Sequence, residues 1–101
     1  MPEPIELIKK LVSELSLEYP VMTFYYGKSE GDQHYVQVDS VEMFNNNCYK
    51  ASEEDLIQKF TESYPDIGLI FNTRFAEIGR PNALFFIKNG IISSIERNAK
   101  I

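Results

Sequence analysis

Apolar residues recur at three- and four-residue steps through PIELIKKLVSELSLEYP, residues 4–20: Ile5, Ile8, Leu11, Val12, Leu15 and Tyr19. Lys9, Lys10, Ser13 and Glu14 fill the opposite face. This period predicts an amphipathic helix, which Pro4 suits at its first turn and Pro20 stops. VMTFYYG, residues 21–27, is dense in aromatic and β-branched residues and reads as a strand. KSEGDQ is a turn-rich connector. HYVQVD, residues 34–39, alternates, with His34, Val36 and Val38 on one side and Tyr35, Gln37 and Asp39 on the other. The two runs make a hairpin. SVEMFNNNCYKA, residues 40–51, has no clean period and leaves three readings open: an extension of the strand to Phe44, a turn, or helix.

The stretch SEED, residues 52–55, matches a capping box. There Ser52 accepts from the amide of Asp55, and Asp55 reaches back to the amide of Ser52. Glu53 and Glu54 then sit at the positive end of the helix dipole. Leu56, Ile57, Phe60 and Tyr64 form the apolar stripe, and Pro65 ends the helix. IGLIFNT, residues 67–73, is almost continuously apolar, which predicts a strand buried on both faces and central in its sheet. RFAEIGRPN, residues 74–82, connects it to ALFFIK-NG-IISSIE, where Asn89-Gly90 between two β-rich runs predicts a tight hairpin. The order is α-β-β-α-β-β-β. The expected fold is a single α+β domain over residues 1–101, with a mostly antiparallel sheet and two helices packed on one face.

Composition adds limits. A chain of 101 residues is the size of one domain, and buries roughly 60–70% of its unfolded surface. Six tyrosines, seven phenylalanines and no tryptophan suggest a core built on Phe and Tyr. No apolar run approaches the roughly 20 residues of a membrane span, so no membrane partner is expected. The segment MPEPIELIKK lacks the apolar centre of a secretory signal. The single cysteine, Cys48, excludes an internal disulfide, which fits a reducing cytoplasm.

The net charge of −5 is unevenly distributed. Residues 30–66 carry nine acids against Lys50 and Lys59, whereas residues 67–101 carry five bases and two acids. The acidic middle repels a polyanion, so no nucleic acid is expected as a partner. It favours approach by a basic protein.

Candidate chemistry is sparse. A cysteine nucleophile needs a base, and Cys48 and His34 are the only such pair, on a loop and a strand respectively. One His and one Cys do not make a four-ligand zinc site, and Glu53, Glu54 and Asp55 fan outward from a helix start. Glycines at 27, 31, 68, 79 and 90 open no phosphate-binding motif. Phe24, Tyr25, Tyr26 and Tyr35 lack the basic neighbours of an RNA-stacking sheet. No catalytic set and no cofactor is expected.

RPNALFFIKNGIISSI, residues 80–95, resembles the last hairpin of thioredoxin-like proteins, in which a proline precedes a Leu- and Phe-rich strand, Lys-Asn-Gly and a second apolar strand. In that family the proline is cis and abuts the strand, whereas here Asn82 and Ala83 intervene before Leu84. The family's two cysteines spaced by two residues are absent. The resemblance therefore implies a terminal hairpin and no thiol–disulfide exchange.

Two functional expectations follow. The first is a non-enzymatic interaction protein, in its specific form a small bacterial inhibitor or immunity protein that docks onto a basic partner. Asp39, Glu42, Glu53 and Glu54 would contribute charge, and Tyr35 an aromatic anchor. The alternative is a small anionic-ligand-binding or enzymatic domain, in which Arg74 and Arg80 clamp a carboxylate or phosphate beneath residues 74–82. A homodimer, through the N-terminal helix or an edge strand, is feasible alongside either.

Overall fold

A computed structural model describes residues 3–28, 33–73 and 84–94. Among these, eight elements occur in the order α1 (Pro4–Glu18), β1 (Thr23–Lys28), β2 (Gln33–Val38), α2 (Val41–Phe44), α3 (Asn47–Ser63), β3 (Gly68–Asn72), β4 (Phe85–Lys88) and β5 (Ile91–Ser94). The class is α+β, as the hydrophobic pattern predicts.

Helix α1 buries Ile8, Leu11, Val12 and Leu15, the middle of the stripe read from the sequence, while Ile5 and Tyr19 at its ends are partly buried. It also buries Ser16, whose hydroxyl donates to the Ser13 carbonyl at 2.8 Å and accepts from the Gly90 amide at 2.8 Å. Pro4 occupies its first turn, and the last intrahelical bond runs from the Tyr19 amide, just before Pro20.

The strands form one mixed sheet in the order β3-β2-β1-β4-β5. β1 pairs antiparallel with β2 and with β4, and β4 pairs antiparallel with β5. β2 and β3 are parallel. Parallel neighbours need a crossover rather than a tight turn, and α3 lies within it. The register sets Phe24 against Val38 and Tyr26 against Val36, so these four share a face. With Leu69, Phe71, Phe85 and Ile87 they meet the buried residues of both long helices in one core. Both helices therefore cover the same side of the sheet.

The expectation of a central, doubly buried strand at residues 67–73 is not met. β3 is the terminal strand of the described sheet, Leu69 and Phe71 face the core, and Ile70 is 41% exposed. A continuous apolar run specifies a strand but not its place in the order.

The helix start is also earlier than the capping box predicts. Ser40 caps α2 by accepting from the Met43 amide at 3.1 Å. Asn46 caps α3, its Oδ1 accepting from the amides of Cys48 at 2.9 Å and Tyr49 at 3.1 Å. Ser52 to Asp55 are interior to the helix, and the inward stripe is Tyr49, Glu53, Leu56 and Phe60. Residues 40–51 thus neither extend β2 nor form a simple turn. Asparagine side chains mimic backbone turns and cap helices as well as serine does, and Asn46 places the fully buried Tyr49 on the core face.

The β4–β5 hairpin forms as predicted. Asn89 and Gly90 have φ of 53° and 79°, the paired positive values of a type I′ turn. A Cβ on Gly90 would stand 2.8 Å from Leu17 Cδ2, so the turn is pressed against α1. Pro81 and the rest of residues 74–83, and residues 95–101, lie outside the described residues.

Candidate interaction groove between α1 and α3

Where α1 and α3 lie side by side, a groove of about 260 Å³ opens on the helical layer. α1 contributes Leu11, Glu14, Leu15 and Glu18, and α3 contributes Ser52, Asp55, Leu56 and Lys59. Positions three and four apart share a helix face, which is why each set lines one wall. Leu11, Leu15 and Leu56 are buried beneath it, so the accessible lining is mostly polar. Glu14, Glu18, Asp55 and Lys59 are exposed and form the rim.

The rim charges are not equally occupied. Lys59 Nζ lies 3.2 Å from Asp55 Oδ2. Among the described residues Glu14 and Glu18 have no ion-pair partner, and they repel each other at i, i+4. The rim therefore holds three carboxylates against one ammonium, net −2, with the excess on α1.

The five residues expected to contact a partner are not gathered into one patch. Glu42 is exposed in the first turn of α2, and Glu54 is exposed on α3 without lining the groove. Asp39 accepts from the Thr23 amide at 3.0 Å, joining the end of β2 to the start of β1. Tyr35 is half-buried, opposite Gly27 and Ile70 across the strands, on the face away from the helices.

Glu53, expected at the surface as a partner contact, is instead 6% exposed. It faces the core beside Tyr49, with Oε2 3.7 Å from Lys50 Nζ. Burial pushes its carboxyl above the ordinary value, and the Lys50 charge opposes that shift. Tyr49 is fully buried among Tyr19, Phe24 and Phe44, and burial pushes its hydroxyl far up, with Glu53 adding to the effect. The Tyr49 hydroxyl and the Glu53 carboxylate act on each other through a loose hydrogen-bonding contact, although neither the hydroxyl nor Glu53 Oε1 meets strict hydrogen-bond geometry. Lys50 also stands 3.4 Å over the Phe44 ring.

Cys48 and His34 occupy different environments. Cys48 is exposed in the first turn of α3. His34 is buried in the core, hydrogen-bonded through Nδ1 to the Tyr26 hydroxyl and set edge-on to Phe60. Burial pushes the Tyr26 hydroxyl up to about 12. Arg74 and Arg80 lie outside the described residues. Among the described residues no three His, Cys, Asp or Glu side chains converge on a metal-sized space, and no helix is long and apolar enough to cross a membrane.

The sequence reading missed Glu14, Glu18, Asp55 and Lys59 as a set. The legible signal was the like-charged Glu14–Glu18 pair beside the α1 stripe. Which helix would stand next to it is a tertiary fact.

Comparison with protein-family models, curated proteins and solved structures finds no match to this chain. The likeness of residues 80–95 to the thioredoxin-like hairpin is a local one.

Proposed function

We propose that this chain is a non-enzymatic acidic interaction protein, of the small bacterial inhibitor or immunity type, that binds a basic protein partner in the cytoplasm. The observation that supports the reading is the acid-rimmed groove on the helical layer, within a chain of net charge −5. Opposite charge accelerates encounter with a basic target. Glu42 and Glu54, both exposed, add to the field around the groove.

The test is association kinetics. A partner recovered from the native host on the immobilised protein is measured against the wild type and the Glu14→Lys, Glu18→Lys double variant across a salt series. The expected result is an association rate that falls steeply with ionic strength and drops at least several-fold in the variant, as steered complexes do. An association rate indifferent to salt overturns the reading.

A further inference from the structure

We infer that the outer edge of β5 is a self-association surface, on which a second copy of the chain adds its own β5 antiparallel about a two-fold axis and continues the sheet. The inference goes beyond the partner-binding reading and uses a different part of the molecule. Three observations support it.

The first is where apolar surface is left uncovered. Among the described residues seven large apolar side chains are exposed, and four of them, Leu17, Val21, Ile91 and Ile92, gather at one corner. Leu17 presses on the Gly90 turn that opens β5. Lys88, opposite Ile91 in the hairpin, donates to the carbonyls of Pro20 at 3.2 Å and Val21 at 3.4 Å, which brings Val21 to the same turn. Apolar side chains grouped in this way mark an association surface, whereas single scattered ones do not.

The second is the backbone. In a two-residue hairpin the closing pair, here Lys88 and Ile91, exchanges both of its bonds, and alternation gives the same to Phe86 and Ser93. The amides and carbonyls of Ile92 and Ser94 therefore point away from β4, at the end of the described strand order. Edges that must stay single are blunted by Lys, Pro or a bulge, and Ile91–Ser94 carries none of these. A two-fold axis at Ser93 sets Ile92 against Ser94 of the partner subunit, and the reverse. All the outward groups of both residues are then bonded, and the contact closes on itself.

The third is charge, which selects a second copy and this edge. The acidic stretch, residues 30–66, supplies β2, α2 and α3. α3 packs over β3, whereas α1 packs over β4 and β5. Two copies joined at β3 would bring their acidic halves together, and two joined at β5 hold them at opposite ends of the doubled sheet, beyond the reach of screened repulsion. One short strand and four side chains from each copy fall below the ~800 Å² per partner of standard interfaces. The dimer is therefore reversible, with a dissociation constant on the order of 100 µM.

The test is sedimentation equilibrium of the full chain across a concentration series, with amide hydrogen exchange followed by NMR on the same samples. The expected mass rises from one chain toward two and no further, and exchange at Ile92 and Ser94 slows as concentration rises. Ile91→Lys with Ser94→Lys, both at exposed sites, sets like charges across the joint and should weaken association by more than about ten-fold. Ile70→Lys, the matching change on the β3 edge, should leave it unmoved. Amide spectra of dilute samples, unchanged away from the substituted sites, verify that each variant folds.

The mass of a single chain at about 1 mM overturns the inference. Slow exchange at Ile92 and Ser94 that ignores concentration assigns the edge to residues 95–101 of the same chain and overturns it as well. So does a dimer that the lysine pair leaves intact, one that Ile70→Lys dissolves, or a mass above two chains. The partner-binding reading is untouched by any of these, because it stands or falls on the salt dependence of association with the protein partner.

Discussion

Two buried tyrosines of this core meet their polar neighbours in opposite ways. The Tyr26 hydroxyl is bonded to His34, and its ring stacks on Phe85 at 4.7 Å between centroids. Tyr49 is buried as deeply beside Glu53, yet neither its hydroxyl nor Glu53 Oε1 finds hydrogen-bond geometry among the described residues. A buried polar group that is bonded recovers most of its desolvation cost, and one that is not keeps that cost. The first pair should therefore stabilise the core through its polar atoms, and the second chiefly through its ring.

The largest break in this comparison is Tyr49→Ala. Losing a fully buried ring in contact with Tyr19, Phe24 and Phe44 should cost about 3–5 kcal/mol in denaturant unfolding. Next is the matched pair of hydroxyl deletions. Tyr26→Phe removes the group bonded to His34 Nδ1 and should cost about 1–3 kcal/mol. Tyr49→Phe removes a hydroxyl held only by a loose contact to Glu53 and should cost less, below about 1 kcal/mol. Equal costs for the two would refute the distinction.

Asn46→Ala removes the side chain that accepts from the amides of Cys48 and Tyr49. It should cost about 1 kcal/mol and loosen the turn that holds Tyr49 and Glu53, read as faster amide exchange at Cys48 and Tyr49.

The smallest effect concerns pH. The folded-state pKa of Glu53 is raised, so between its unfolded and folded values the native state binds more protons than the unfolded chain. Its contribution then makes stability fall as pH rises through that window, and increase as pH is lowered from neutral toward the ordinary glutamate value. Glu53→Gln should remove this slope and raise the melting temperature at pH 7, checked by melting curves of both proteins from pH 7 to 5.

The regions differ in legibility for the same physical reasons. Helix α1 and the β4–β5 hairpin are written locally, in Pro4, the Ile8–Leu15 stripe and Asn89-Gly90, whose positive φ values only a few residue types adopt readily. The start of α3 is over-written, since Asn46 and Ser52 both carry capping chemistry. The choice falls to Tyr49, whose burial extends the stripe two turns before Leu56. A glutamate inside that stripe hides it, because Glu53 reads as a surface residue until its neighbours are known. The edge position of β3 and the α1–α3 groove depend on which elements stand side by side.

The bond from the Gly90 amide to the Ser16 hydroxyl joins groups 74 positions apart. On a ribosome adding about 5–20 residues per second, the first helix emerges on the order of 4–15 seconds before the turn it docks against is made. Helix α3 and β1 can cover part of its apolar stripe sooner, but the part that meets β4 and its turn waits through that interval, open to chaperones and to aggregation.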